Sequence, residues 1–265
     1  MKVVRETAVA GRTIYQCIKV PSGRHTGKRK PKTMPTQEKV QKNNDRLAAR
    51  NLTLLLNANF YERSGHFTLT YAGDEPSKEE AERSLKNFLR RMGYAMRKEG
   101  KQLKYVAVTE YLHKRIHHHV VMNTTDVEKV NEVWKAGYTN AKPLDKSGSY
   151  KQLAEYLIKE TSKTIRQDGA PSRRRWSASK NLRRPVLKRE EVSESMLSED
   201  PRPLKGYVID EVRRFTHPVT GLEHLEYFMV ATDTPRKYKV WPRGQVIDGR
   251  ESFEYEHIEQ ETFWL

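Results

Sequence analysis

His117, His118 and His119 stand together in the run IHHHVVM at 116–122. The β-branched and apolar content of that run predicts a strand. Side chains alternate across a strand, so His117 and His119 share one face and His118 takes the other. Two imidazoles one residue apart on one face are spaced to share a metal ion. Glu110 closes a preceding strand-like run, KYVAVTE at 104–110. If the two runs pair as a hairpin, Glu110 completes a His₂–carboxylate set. A lone histidine on a sheet face is ordinarily a hydrogen-bonded polar residue, whereas a same-face pair beside a carboxylate favours a metal. Zinc would fit, and an oxygen ligand with open positions also suits Mg²⁺ or Mn²⁺ acting on phosphate.

A second pair lies downstream. Tyr156 and Lys159 are three residues apart in YKQLAEYLIKETSK, which puts both on one face of a helix, away from the Leu153–Leu157 stripe. A tyrosine on a helix is usually half-buried packing. A phenol titrates near ~10 and is a weak nucleophile at neutral pH. A divalent cation and a nearby ammonium would stabilise the phenolate and the charge on a phosphate under attack. Tyr150, six residues earlier, points to another part of the helix and reads as a packing residue.

These residues need a framework. HFTLTY at 66–71 alternates as a strand, and Ser77 with Glu80 forms a capping-box signature for a helix that Gly100 ends. After the two central strands, Thr125 and Glu128 cap a helix with Val127, Val130, Val133 and Trp134 on one face. GYTNAKPL at 137–144 is a short strand, and Ser149 with Gln152 opens the helix of Tyr156. The order strand, helix, strand, strand, helix, strand, helix predicts an α+β fold, one antiparallel sheet with helices on one face. A helical pattern also covers Arg46 to Phe60. The expected organisation is a basic flexible arm over 1–45, a core over 46–165, a basic linker over 166–204 and a small β-rich region over 205–265.

Charge narrows the partner. The formal net charge of the 265-residue chain is +16. Residues 1–50 carry 13 Lys/Arg against 3 Asp/Glu, and residues 163–189 carry 10 against 1, so two basic blocks flank the patterned core. Such blocks suit a polyanion, because cationic side chains release counterions from a phosphate backbone. Within the second block, Arg173, Arg174, Arg175, Trp176, Lys180, Arg183 and Arg184 form a candidate DNA contact: stacking from the indole, phosphate pairing from the cations. A solvated linker with one packed tryptophan is the competing reading. The single cysteine, Cys17, excludes an intrachain disulfide and a multi-thiolate metal site. No apolar run approaches the ~20 residues of a spanning helix, and the opening MKVVRETAVAGRT lacks a secretory apolar stretch. A cytoplasmic protein without membrane contact is expected. No phosphate-binding G-x-x-x-x-G-K-[ST] loop is present, so ATP hydrolysis by that route is excluded.

FTLTY at 67–71, Glu110 with the histidines at 117–119, and YLIK at 156–159 together resemble the three ordered motifs of HUH endonucleases. A single tyrosine downstream of the histidines is similar to replication initiators of small phages and plasmids, especially the filamentous-phage-like group. His118 departs from that pattern, in which a bulky apolar residue usually separates the two histidines, and leaves open which two imidazoles bind metal; alternation favours His117 and His119. The resemblance implies a ferredoxin-like or RRM-like sheet carrying the metal site on an open face. It implies nicking of single-stranded origin DNA at a 5′-phosphotyrosine, later rejoining, and a free 3′-OH for a host polymerase working with a host helicase, in a bacterial cytoplasm.

Two other readings compete. A non-catalytic basic nucleic-acid-binding module of RRM-like fold would need neither Tyr156 nor Lys159, and the aromatic RNA-binding signature is absent. An HUH transposase or relaxase would share the chemistry, but relaxases usually carry a third metal histidine and a tyrosine near the chain start.

Overall fold

The computed structural model describes residues 2–21, 38–111, 115–165, 174–217, 220–232, 246–247 and 250–251. A hairpin of β1 (Val3–Ala10) and β2 (Thr13–Lys19) comes first, followed by helix α1 (Glu38–Asn57). The central segment runs β3 (Gly65–Thr70), α2 (Lys78–Lys98), β4 (Tyr105–Glu110), β5 (His117–Met122), α3 (Val127–Val133), β6 (Thr139–Pro143) and α4 (Lys151–Ile165). This is the order the sequence predicts. Then come β7 (Ser177–Ala178), β8 (Lys188–Val192), a 3-10 turn at Glu194–Leu197, β9 (Tyr207–Thr216) and β10 (Glu223–Ala231). The capping box of α2 forms as expected: Ser77 Oγ accepts from the Glu80 amide, and the Glu80 carboxylate accepts from the Ser77 amide.

The strands make two antiparallel five-stranded sheets, ordered β6-β3-β5-β4-β7 and β8-β1-β2-β10-β9. The fold is α+β, as expected, but helices cover both faces of the first sheet rather than one. The reason lies in the strands, which are apolar on both sides. Phe67, Leu69, Ala107, Val120 and Met122 meet α2 and α3 through Leu85, Phe88, Met92 and Val130. Val106, Val108 and Val121 meet α1 and α4 through Leu52, Leu56, Ala154, Leu157 and Ile158.

The ends of the chain also differ from expectation. The arm expected over 1–45 begins as two buried strands, and α1 starts at Glu38, ahead of Arg46. The expected linker supplies β7 to the first sheet and β8 to the second. The β-rich C-terminal region is paired with the N-terminal hairpin: β10 lies against β2, from His224↔Lys19 to Val230↔Thr13. The basic charge count masked these strands. Their charged side chains are paired across the sheet, Lys19 with Glu6 at 2.6 Å and Arg46 of α1 with Glu226 at 2.5 Å.

α1 lies between the sheets. Leu52, Leu55 and Leu56 pack on the first, and Leu54 packs on Ala8, Ala10, Tyr15, Cys17 and Phe228 of the second. The run Leu54-Leu55-Leu56 is therefore buried all round, and each such leucine contributes about 2 kcal/mol. At the end of α1, Asn57 joins three elements: its amide donates to Thr13 Oγ1 at 2.8 Å, and its carbonyl accepts from the Tyr150 amide, at the start of α4, at 2.9 Å. The β1–β2 turn approaches this junction so closely that a Cβ on Gly11 would lie 2.1 Å from the Asn57 carbonyl oxygen.

Candidate functional site

Pairing of β4 with β5 sets Glu110 opposite His117, and pairing of β3 with β5 sets Thr68 opposite His119. His117, His119 and Glu110 share the face that α4 overlies. Their ligand atoms all lie within 4.8 Å of one another, a group that could hold a divalent ion. The Glu110 Oε2 is 3.0 Å from His117 Nε2 and 3.7 Å from His119 Nε2. Glu110 and His119 are buried, and His117 is only partly covered.

His118 is on the opposite face and fully buried. Its ring nitrogens meet Tyr71 Oη at 2.7 Å and Thr109 Oγ1 at 2.8 Å, and Trp134 packs edge-on against it. The residue that departs from the motif is thus a core residue with its polar atoms satisfied.

Proton accounting tests whether the set fits a cation. His117 Nδ1 faces the Arg115 carbonyl at 2.9 Å, an acceptor that takes the one proton of a neutral imidazole. Its Nε2 lone pair then faces the Glu110 carboxylate, and two electron-rich atoms at that distance call for a cation between them. His119 offers Nε2 to the same centre, while its Nδ1 meets His66 Nε2 at 3.1 Å and Thr68 Oγ1 at 3.3 Å. Partners of this kind fix the tautomer and aim of a metal-ligating imidazole. Burial first, then the neighbouring histidines, holds His119 down at about 3, so it is neutral at ordinary pH and free to ligate. His66 and Thr68 were not singled out from the sequence. The alternation of β3 puts both opposite Phe67 and Leu69, but their contact with His119 depends on the register of β3 against β5.

Tyr156 brings its hydroxyl to 3.4 Å from His119 Nε2, with the two rings edge to face. The residue is 44% exposed, so the hydroxyl lies where buried ligands meet solvent. Desolvation raises its pKa, and the charges of Glu110 and Glu160 add to that rise. Without a cation this phenol is harder to ionise than a free one, so activation must come from bound positive charge. Lys159 is exposed on α4 and makes no hydrogen bond or ion pair among the described residues. Tyr150 is 4% exposed, and its hydroxyl donates to the Asp145 carbonyl at 3.0 Å.

In the second basic block, Arg173 lies outside the described residues. Arg175 pairs with Asp45 of α1 at 2.6 Å and also bonds Ser162 of α4, and Trp176 is half-buried against the α1–α4 core. Both therefore hold the linker to the fold. Arg174, Lys180, Arg183 and Arg184 are exposed.

Residues 65–165 match the family model of the replication-associated protein ORF2. The segment is a replication-associated domain of the ORF2 family. It spans β3 to α4, and so holds all three clustered ligands and Tyr156. Comparisons with curated proteins and with solved structures gave no match. The ORF2-family domain ties the chain to DNA replication and to DNA as its partner, and the HUH-type order of motifs is consistent with it. Among the described residues, no helix is long and apolar enough to cross a membrane.

Proposed function

We propose that the chain initiates rolling-circle replication by nicking single-stranded origin DNA through Tyr156. The observation that carries this reading is the meeting of the Tyr156 hydroxyl with His117, His119 and Glu110 at one solvent-facing point. Glu110, His117 and His119 would hold a Mg²⁺ or Mn²⁺ ion, which supplies positive charge against the scissile phosphate and the phenolate. Tyr156 Oη, losing its proton, forms a bond to phosphorus. The P–O3′ bond breaks, and the 3′ oxygen takes up a proton. The products are a 5′-phosphotyrosine and a free 3′-OH that a host polymerase extends while a host helicase opens the duplex. Attack of a 3′-OH on the phosphotyrosine reverses the chemistry and rejoins the strand. Lys159 reaches the phosphate once DNA is bound, and Arg174, Lys180, Arg183 and Arg184 steady the backbone around it.

The test is incubation with a random-sequence pool of single strands and Mn²⁺, followed by a search for a covalent adduct that survives SDS. The adduct is expected with the native chain, lost in Tyr156→Phe with DNA binding kept, reduced in Lys159→Ala and retained in Tyr150→Phe. Chelator is expected to abolish the adduct and spare binding. An adduct that survives Tyr156→Phe rules out this nucleophile.

A further inference from the structure

The face that carries the clustered ligands is only half covered. α1 and α4 overlie β4 and β5, packing on Val106, Val108 and Val121. Toward the β6 edge the same face is open: His66, Thr68 and Thr70 are partly exposed, and Asn140 and Lys142 are exposed. The register runs straight across it. Glu110 lies opposite His117, and His117 opposite Thr70. Thr70 exchanges both backbone hydrogen bonds with Tyr138, at 2.9 and 3.1 Å. Directly opposed residues share a face, so Tyr138, Thr70, His117 and Glu110 form one row. Strands in a sheet are ~4.8 Å apart, which puts Tyr138 about 10 Å from His117.

Tyr138 combines an exposed ring with a fixed backbone. It is 71% exposed, the highest value among the exposed tyrosines of the described residues. Its backbone is pinned to β3 on both sides, since Ala72 N also donates to the Ala136 carbonyl at 3.0 Å. Gly137 permits this approach: a Cβ there would lie 2.2 Å from the Thr70 carbonyl oxygen. Trp134 Nε1 donates to the same carbonyl at 2.9 Å and anchors the segment from beneath. An aromatic ring held in water by a rigid backbone contributes nothing to the core and is pre-organised for a planar ligand.

Resting on the nicking reading above, we propose that Tyr138 is a base-stacking platform. It takes the face of a nucleobase flanking the phosphate held at His117 and Glu110, and Asn140 and Lys142 continue the same strand track. Stacking accepts any base, so Tyr138 sets the position of the strand over the site rather than its sequence.

The experiment compares a fluorescein-labelled oligothymidylate of about 20 nucleotides with an abasic strand of equal length and charge, by fluorescence anisotropy in chelator. The native chain is expected to prefer the thymidylate. Tyr138→Ala should weaken thymidylate binding roughly 5- to 100-fold and abasic binding less than about twofold, whereas Tyr138→Phe keeps the preference. The salt slope should not change, because every phosphate partner is still present. The ring is exposed, so the melting temperature serves as the folding control. A thymidylate-to-abasic ratio unchanged in Tyr138→Ala, or no preference in the native chain, overturns the proposal. If the Mn²⁺ adduct forms in that case, the nicking reading survives. Loss of the adduct with the stacking preference intact sinks nicking and leaves the platform standing. No strand binding by the native chain overturns both.

Discussion

Three histidines of this site are held neutral by burial. His118 and His119 are pushed down to about 3 and His66 to about 4, each by desolvation first. The unfolded chain takes up these protons near pH ~6.5. Between that pH and the depressed folded values the unfolded state binds more protons, so stability is whole above ~6.5 and is lost as pH falls toward 4 and 3. In chelator, the melting temperature is expected to fall steadily below about pH 6. His118→Asn, which keeps a hydrogen-bonding side chain that does not titrate, should start lower and fall less steeply, by up to ~1.4 kcal/mol per pH unit. Parallel acid limbs in the two proteins would show that His118 does not carry this loss. At this scale the sequence was informative where period decides and silent where register decides. Alternation alone separated His118 from His117 and His119. The contacts of His66 and Thr68 with His119, and the row that ends at Tyr138, depend on how far β3 slides against β5 and β6, and no local pattern encodes that.

Elements within 65–165 were legible because each is specified locally: the β-formers of β3 to β5, the capping box of α2, the apolar stripes of α3 and α4. Their assembly was less so, and α1 shows why. Its Leu54-Leu55-Leu56 run fits no single stripe, since it faces two sheets, one of them built from strands distant in sequence. The joint beneath it depends on Gly11, with φ +56° and the Asn57 carbonyl where a side chain would begin. Gly11→Ala should cost about 2 kcal/mol or more, read as a lowered denaturation midpoint, while Gly73→Ala, also at positive φ but in open space, should cost less. Equal losses would mean that the backbone angle alone matters and the close approach does not. A second link joins α4 to the other sheet: Lys151 contacts Glu155 at 2.8 Å and Glu211 at 2.5 Å, and Arg213 contacts Glu155 at 3.1 Å. The helix that presents Tyr156 is thereby referenced to β9 as well as to the sheet of the histidines.

For the whole molecule, charge named a polyanion correctly as a class but misplaced the boundary of the arm. Lys2, Arg5, Arg12 and Lys19 belong to folded strands or their ends, and Lys2, Arg5 and Lys19 pair with Glu191, Glu190 and Glu6. Removing residues 1–45 would therefore dismantle a sheet rather than trim a tail. The informative variant replaces Arg24, Lys28, Arg29, Lys30 and Lys32 with serine and leaves the hairpin intact. Weaker strand binding is expected, with a salt slope shallower by ~0.7 for each phosphate that is no longer neutralised. An unchanged slope in salt titrations would remove this segment from the interface.

The placement of β2 has a consequence for synthesis. This strand is flanked by β1 on one side and β10 on the other, with Lys19 opposite His224. On the ribosome the hairpin emerges about 200 residues before the strand that closes its second edge, and until then a row of backbone donors and acceptors stays open to any passing strand. The segment from Glu110 to Tyr156 is finished long before its scaffold. A nascent chain stalled short of β10 would carry every reactive group and still lack the sheet that clamps α1 and α4 over them.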